Sequence, residues 1–257
     1  IASEVMRRGG SVTGFDHGGV TAISQAQPLT AVGELMIADR FCVGTAHWAD
    51  LLKRSEALAL VAPFESCEVI HSNGEPIFLN ACVNIAVRSR RRVLYVGHPY
   101  RALRQFAISG TPDVLYWDFQ SRVAQYLSEL SIDLICKPHP EGHFVGQKNP
   151  IETVAPTSYL PFEDHLKDTD VFVFDAPTST TFGEALCTNR PVILIERGHY
   201  PFNPEIDNEI KNRCRIVPCQ VDERNRIWPD LKILEDAICR DPATSDPSFF
   251  RHLLADV

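Results

Sequence analysis

Short runs rich in Val, Ile and Leu alternate along the chain with longer amphipathic stretches, the pattern of buried parallel strands joined by crossover helices. The runs that read as strands are Ser11 to Phe15, Arg40 to Val43, Ala57 to Val61, Arg92 to Val96, Ile132 to Cys136, Val171 to Phe174, Val192 to Ile195 and Arg215 to Val217. Helices are expected at Ala2 to Arg8, closed by Gly9-Gly10, and at His47 to Ser55, Val114 to Leu130, Phe162 to Lys167, Thr181 to Cys187 and Leu231 to Cys239. In the longest of these, Leu115, Val123, Leu127 and Leu130 share one face. The fold class implied is α/β, with a doubly wound, Rossmann-like parallel sheet.

The rhythm breaks between Pro63 and Arg91, where His71-Ser72-Asn73-Gly74 is a strong turn signal followed by a basic run. That segment reads as the passage between two lobes. Residues 1–91 are then a partial amino-terminal lobe with its linker, and residues 92–257 a complete βα-alternating lobe. Position 1 is Ile and the chain opens inside an expected helix, so more polypeptide is expected upstream.

With 257 residues, 44% of them hydrophobic, the chain can bury a sizeable core. Its eight cysteines are scattered singly, with no CxxC pair, which favours reduced thiols and a cytoplasmic setting. A net charge of -8 argues against a general nucleic-acid binder, although Arg88 to Arg92 is a local basic cluster. No apolar run approaches the roughly 20 residues that span a bilayer, so any membrane association would be peripheral, on the inner face and through other regions.

The strand Ile132 to Cys136 runs into Lys137-Pro138-His139-Pro140-Glu141-Gly142, whose prolines stop a sheet. Polar groups there stand at the carboxyl end of a parallel strand, where open α/β sheets bind ligands, and Lys137 and His139 suit phosphate oxygens. A solvated strand-end turn would look the same. Val171 to Phe174 likewise runs into Asp175-Ala176-Pro177-Thr178-Ser179-Thr180-Thr181 and then a helix containing Glu184-Ala185-Leu186. Hydroxyl residues at a helix start offer free N–H groups and the positive end of the helix dipole to an anion, though Ser179 or Thr180 as a plain N-cap needs no ligand. The two turns are expected on neighbouring strands, converging on one anion pocket. Cys136, His139 and His143 have zinc-like spacing but lack a fourth ligand, so no metal is expected. The Gly-rich dinucleotide fingerprint and the Walker loop are absent. His199-Tyr200-Pro201-Phe202 suits contact with a nucleobase or sugar, or simple packing.

Lys-Pro-His-Pro, followed by Asp, a Ser/Thr turn, Glu-Ala-Leu and Arg190-Pro191-Val192-Ile193, resembles the carboxy-terminal lobe of bacterial surface-polysaccharide transferases of GT-B type. Similar families are the CDP-glycerol glycerophosphotransferases, the sialyl- and polysialyltransferases and the capsule Kdo transferases. The resemblance spans roughly Arg92 to Cys219 and implies that His139, Ser179 and Thr180 bind the donor's phosphate; Lys137 and Thr181 are candidates for the same phosphate. Upstream, Asp16-His17-Gly18-Gly19 resembles a "QHGG" segment of related surface-carbohydrate transferases, with Asp16 in place of Gln. Glu34 and Ala38-Asp39-Arg40-Phe41 match the continuation of that segment.

The function implied is metal-independent, inverting transfer of a sugar or glycerol-phosphate-like unit from a CMP- or CDP-linked donor to a glycan or lipid-linked glycan. No cofactor is expected beyond the nucleotide-sugar donor itself. Asp16, His17 and Glu34 are the candidates for the acceptor's base, and Glu184 and Pro138 for the donor's ribose and base. The rival readings are a sugar-nucleotide epimerase on the same fold and a noncatalytic nucleotide-binding module.

Overall fold

The computed structural model describes residues 1–16, 18–24, 27–62, 66–82, 91–100, 111–140, 148–198, 201–240 and 246–257, with backbone only at residues 20 and 27–29. The amino-terminal part begins with α1 (Ala2–Arg7), β1 (Thr13–Phe15), α2 (Val20–Ile23), α3 (Gln27–Gly33) and a 3-10 turn at Leu35–Ile37. It continues through β2 (Arg40–Val43), α4 (Ala46–Lys53), α5 (Glu56–Val61), β3 (Glu68–His71) and α6 (Pro76–Ala81). Its three strands form a parallel sheet in the order β1-β2-β3.

The second part comprises β4 (Arg92–Val96), α7 (Asp113–Glu129), β5 (Asp133–Lys137), a 3-10 turn at Pro150–Thr153, α8 (Glu163–Leu166), β6 (Val171–Phe174) and α9 (Thr180–Cys187). Then come β7 (Val192–Glu196), α10 (Asp207–Arg213), β8 (Cys214–Val221), β9 (Ile227–Pro229), α11 (Leu231–Cys239) and α12 (Ser248–Ala255). The sheet order is β5-β4-β6-β7-β8-β9, parallel except for the antiparallel β8–β9 pair. Two α/β sheets, the larger doubly wound, give the GT-B-like architecture.

Alternation along each strand divides the core. Val93, Tyr95, Val171, Val173, Ile193 and Ile195 face one side, where they pack with Phe119, Val123 and Leu127 of α7 and Leu234 and Ile238 of α11. Leu94, Val96, Phe172, Phe174, Val192 and Leu194 face the other, and their cluster runs without interruption into Phe182, Phe78, Trp48 and Phe41. The two sheets therefore share one apolar core. α12 closes it by packing on α4, α6 and α9.

Two expectations are corrected. Ala57 to Val61 is helix α5, because Ser55 caps it, its hydroxyl accepting from Leu58 N–H, and Ala and Leu favour helix over strand. The segment read as a passage contains β3, paired along its length with β2, followed by α6.

Candidate functional site

The chain passes from β4 to β5 on one side, then returns across β4 to β6 on the other. The direction of winding reverses between β4 and β6, and the carboxyl ends of these two strands flank the crevice where open α/β sheets bind ligands. β5 and β6, expected as neighbours, are separated by β4. The loop that faces the Ser/Thr turn across this crevice is therefore Gly97-His98-Pro99-Tyr100, after β4.

This loop is held from beneath by a buried polar network. Asp175, at the end of β6, accepts hydrogen bonds from Tyr95 Oη at 2.7 Å, Tyr116 Oη at 2.9 Å, Gln120 Nε2 at 3.3 Å and the His98 N–H at 3.2 Å. Burial and the adjacent carboxylate push both tyrosines well above the ordinary phenol range, so they stay neutral donors. Gly97 is required by close approach, since a Cβ there would stand 2.4 Å from Gln120 Nε2. From the next strand, Arg197 donates to the Asp175 carbonyl at 2.9 Å and lies over the Tyr116 ring, 4.4 Å from its centroid.

The half-buried His98 has Nδ1 3.2 Å from the Pro99 carbonyl and Nε2 3.3 Å from Thr178 Oγ1. A carbonyl only accepts, which places the ring hydrogen on Nδ1 and leaves Nε2 facing the loop that opens α9. Ser179 is the N-cap of α9, its hydroxyl accepting from Phe182 N–H at 3.2 Å and lying 3.0 Å from Thr181 Oγ1. The capping reading of Ser179 is thus realised. Beyond that cap, the N–H groups of Thr180 and Thr181 have no hydrogen-bond partner among the described residues, so the helix start remains a donor site for an anion.

The His-Gly-Gly turn reaches this helix start from the other sheet. Gly18 has φ +85°, and a Cβ on it would stand 1.9 Å from Thr180 Oγ1. Asp16 is buried, with its carboxylate accepting from Gly19 N–H at 3.0 Å and Thr21 Oγ1 at 2.5 Å. Those bonds make Asp16 the anchor of the turn. His17 lies outside the described residues. Glu34 precedes the 3-10 turn that leads into the start of β2, at the amino-terminal edge of that parallel sheet and away from Asp16 at the carboxyl edge. The crossover back to a parallel strand takes it there.

Lys137 ends β5 and is buried, its ammonium donating to the Leu160 carbonyl. Burial lowers its pKa, opposed by the carboxylates of Glu163, Glu184 and Asp164. Pro138 is buried and His139 half-buried, each a strand farther from α9 than its counterpart in the β4 loop. Glu184, on α9, is buried with Oε2 lacking a hydrogen-bond partner; desolvation and then Glu163 push its pKa up to about 8 against the pull of Lys137. It belongs to the Lys137 cluster.

Phe202 is buried in the core, and Asn203 bonds back to α2 through Ile23 and Ala22 carbonyls, while His199 and Tyr200 lie outside the described residues. A small cavity bounded by Asp175, Pro177, Arg197, Gly198 and Phe202 adjoins the crevice. Cys136 is buried in the core and His143 lies outside the described residues, among which no cluster of His, Cys, Asp or Glu could hold a metal ion. Nor is any described helix long and apolar enough to cross a membrane. The sequence reading passed over His98, although its signal, a buried strand followed by His-Pro, is the one that singled out His139.

No protein-family model and no curated protein matches the chain. Among solved structures it is similar to Phytolacca americana UGT2 complexed with UDP-2fluoro-glucose and pterostilbene, at 12% identity over 85% of this chain and 48% of that one, with a TM-score of 0.42. It is also similar to apo UGT2 from the same plant, at 13% identity over 85% of this chain and 50% of that one, TM-score 0.39. The chain spans about half the length of these neighbours. At that identity and superposition the likeness carries no statement about donor or acceptor.

Proposed function

We propose that the chain is the donor-binding part of a GT-B-type glycosyltransferase, moving a sugar or glycerol-phosphate-like unit from a nucleotide-activated donor to a glycan. The observation that carries this reading is the open start of α9 facing His98 across the β4–β6 winding reversal. A protonated His98 Nε2, with the Thr180 and Thr181 N–H groups, would hold the donor's phosphate without a cation, as expected for a metal-independent enzyme. His139 would reach the same phosphate from the β5 side, with Pro138 toward the ribose and base, while Glu184 stays buried in the Lys137 cluster.

We further propose a CMP- or CDP-linked donor, a surface-polysaccharide or lipid-linked acceptor and inversion, all resting on the motif resemblance. For a sugar donor the acceptor oxygen attacks the anomeric carbon, the bond to phosphate breaks with its electron pair on the nucleotide, and the acceptor proton passes to a base. With Asp16 committed to its turn, His17 is the base we favour. The chain divides near Arg91 into acceptor-side and donor-side lobes, and the enzyme acts in the cytoplasm.

A thermal-shift panel of CMP, CDP, UDP and GDP tests the reading directly. Ligand at about 100 times Kd adds roughly 2.7 kcal/mol, which for a chain of this size raises Tm by roughly 5 °C or more. Cytidine nucleotides should give the largest response. Flat melting curves with all four would sink the donor site, and a sugar altered without any acceptor would point to an epimerase.

A further inference from the structure

Two glycines, one in each half of the candidate site, face the same pair of side chains. Gly19 closes the His-Gly-Gly turn of the small sheet, and Gly183 lies one turn into α9, behind the open start at Ser179–Thr181. A Cβ on Gly19 would stand 3.2 Å from Phe78 Cζ and 3.4 Å from Leu254 Cδ2. A Cβ on Gly183 would stand 2.9 Å from Phe78 Cε1 and 3.5 Å from Leu254 Cδ1. Phe78 of α6 and Leu254 of α12 are fully buried, so each is a wedge of fixed size between the turn and the helix. Glycine is unfavourable inside a helix, and an approach too close for a Cβ explains its place in α9.

The Leu254 wedge is tied on both sides. Carbonyls in the last turn of a helix have no partner within it, and α12 uses one as a tether to the small sheet. The Leu253 carbonyl accepts from Thr45 Oγ1 at 2.5 Å, and Thr45 is the N-cap of α4, its hydroxyl accepting from Trp48 N–H at 3.1 Å. Toward the large sheet, Arg251 donates to the Cys187 carbonyl at the end of α9 at 2.7 Å. α12 is therefore bonded to a helix of each sheet within three residues of Leu254. The contact it supports has no slack, since a Cβ on Gly18 would stand 1.9 Å from Thr180 Oγ1.

We propose that Leu254, with Phe78, is a positioning residue of the candidate site, setting the separation between the His-Gly-Gly turn and the start of α9 from inside the core. Neither side chain touches a ligand. Each acts through a glycine, one behind the turn and one behind the anion-suited helix start. The consequence for transfer rests on the donor reading: the turn would bring the acceptor's base, the helix start would hold the donor's phosphate, and Leu254 would fix the span between them. The clamp itself does not depend on that reading.

Residue-resolved amide hydrogen exchange tests it. The reporters are Gly19 N–H, bonded to the Asp16 carboxylate at 3.0 Å, and Phe182 N–H, bonded to Ser179 Oγ at 3.2 Å. Leu254→Ala removes one wedge, while Leu127→Ala removes an equally buried leucine from the other face of the large sheet and so measures a purely structural loss. With global stabilities matched by urea, both reporters should exchange on the order of tenfold faster in Leu254→Ala than in Leu127→Ala. Leu254→Met, which conserves volume, should restore wild-type protection. Gly183→Ala perturbs the clamp from the opposite direction, since its methyl must displace Phe78, and it should speed exchange at the untouched Gly19. Equal acceleration in the two leucine variants, or a Gly19 amide unmoved by both Leu254→Ala and Gly183→Ala, would overturn the proposal. Nucleotide binding in the melting panel decides the donor reading separately, because exchange gives its answer whether or not the chain binds any of the four nucleotides.

Discussion

The larger sheet carries two His-Pro turns, His98-Pro99 after β4 and His139-Pro140 after β5, nearly alike in sequence and unlike in surroundings. The first rests on a buried network centred on Asp175, and its imidazole touches Thr178 in the loop that opens α9. The second follows Lys137, whose ammonium is tied to the Leu160 carbonyl amid Glu163, Asp164 and Glu184. One strand of displacement separates them. What a His-Pro turn can do is decided less by its own residues than by which strand end stands beside it.

Removing the support of the first turn should have the largest effect. Asp175→Ala leaves Tyr95, Tyr116 and Gln120 without their shared acceptor inside the core. Stranding several buried donors of a carboxylate is expected to destabilise the fold by about 3–5 kcal/mol. Urea denaturation measures it, and a loss below about 1 kcal/mol would show that the β4 turn does not depend on this network.

Much of this architecture was legible because buried parallel strands declare themselves. Val171-Phe172-Val173-Phe174 is apolar on both faces and could scarcely be anything else, and the helix expected at Leu231 to Cys239 forms with those bounds, its start capped by Asp230. β3 escaped because Glu68-Val69-Ile70-His71 offers only two apolar residues at a sheet edge, too little pattern to separate from a turn. α12 escaped because its partners, α4, α6 and α9, lie far away in sequence. The candidate site was legible as two phosphate-suited turns and a His-Gly-Gly turn, and the contact of Gly18 with Thr180 brings two of these together. Sheet order was not legible. Nothing in β5 or β6 records that β4 pairs between them, and so His139 was set where His98 stands.

The next experiment asks which imidazole meets the phosphate. If His98 does, His98→Ala should weaken binding of CMP or CDP by about 1.5–3 kcal/mol, the range for a hydrogen bond to a charged group, or roughly 10- to 100-fold in Kd. His139→Ala, one strand removed, should cost less. Isothermal titration of both variants, with melting curves as a check on folding, ranks them. Should His139→Ala lose more affinity, the phosphate sits toward β5 and the comparison of the turns reverses.

The last effect concerns the cluster beneath the second turn, and pH reveals it. Glu184 has a folded pKa of about 8 against an ordinary value of 4.5, because burial and Glu163 oppose its ionisation more than Lys137 favours it. Between those values the folded chain holds a proton that the unfolded chain has released, so Glu184 makes stability decline as pH rises, at a limiting slope of about 1.4 kcal/mol per unit. The loss is absent below the lower value and complete above the upper one. Glu184→Gln keeps the volume but cannot ionise. The variant should match or fall slightly below wild type near pH 5 and exceed it near pH 8. Urea midpoints across that interval, taken for both proteins at fixed ionic strength, measure the difference. Parallel profiles would mean that water or a rearranged Lys137 already compensates the carboxylate.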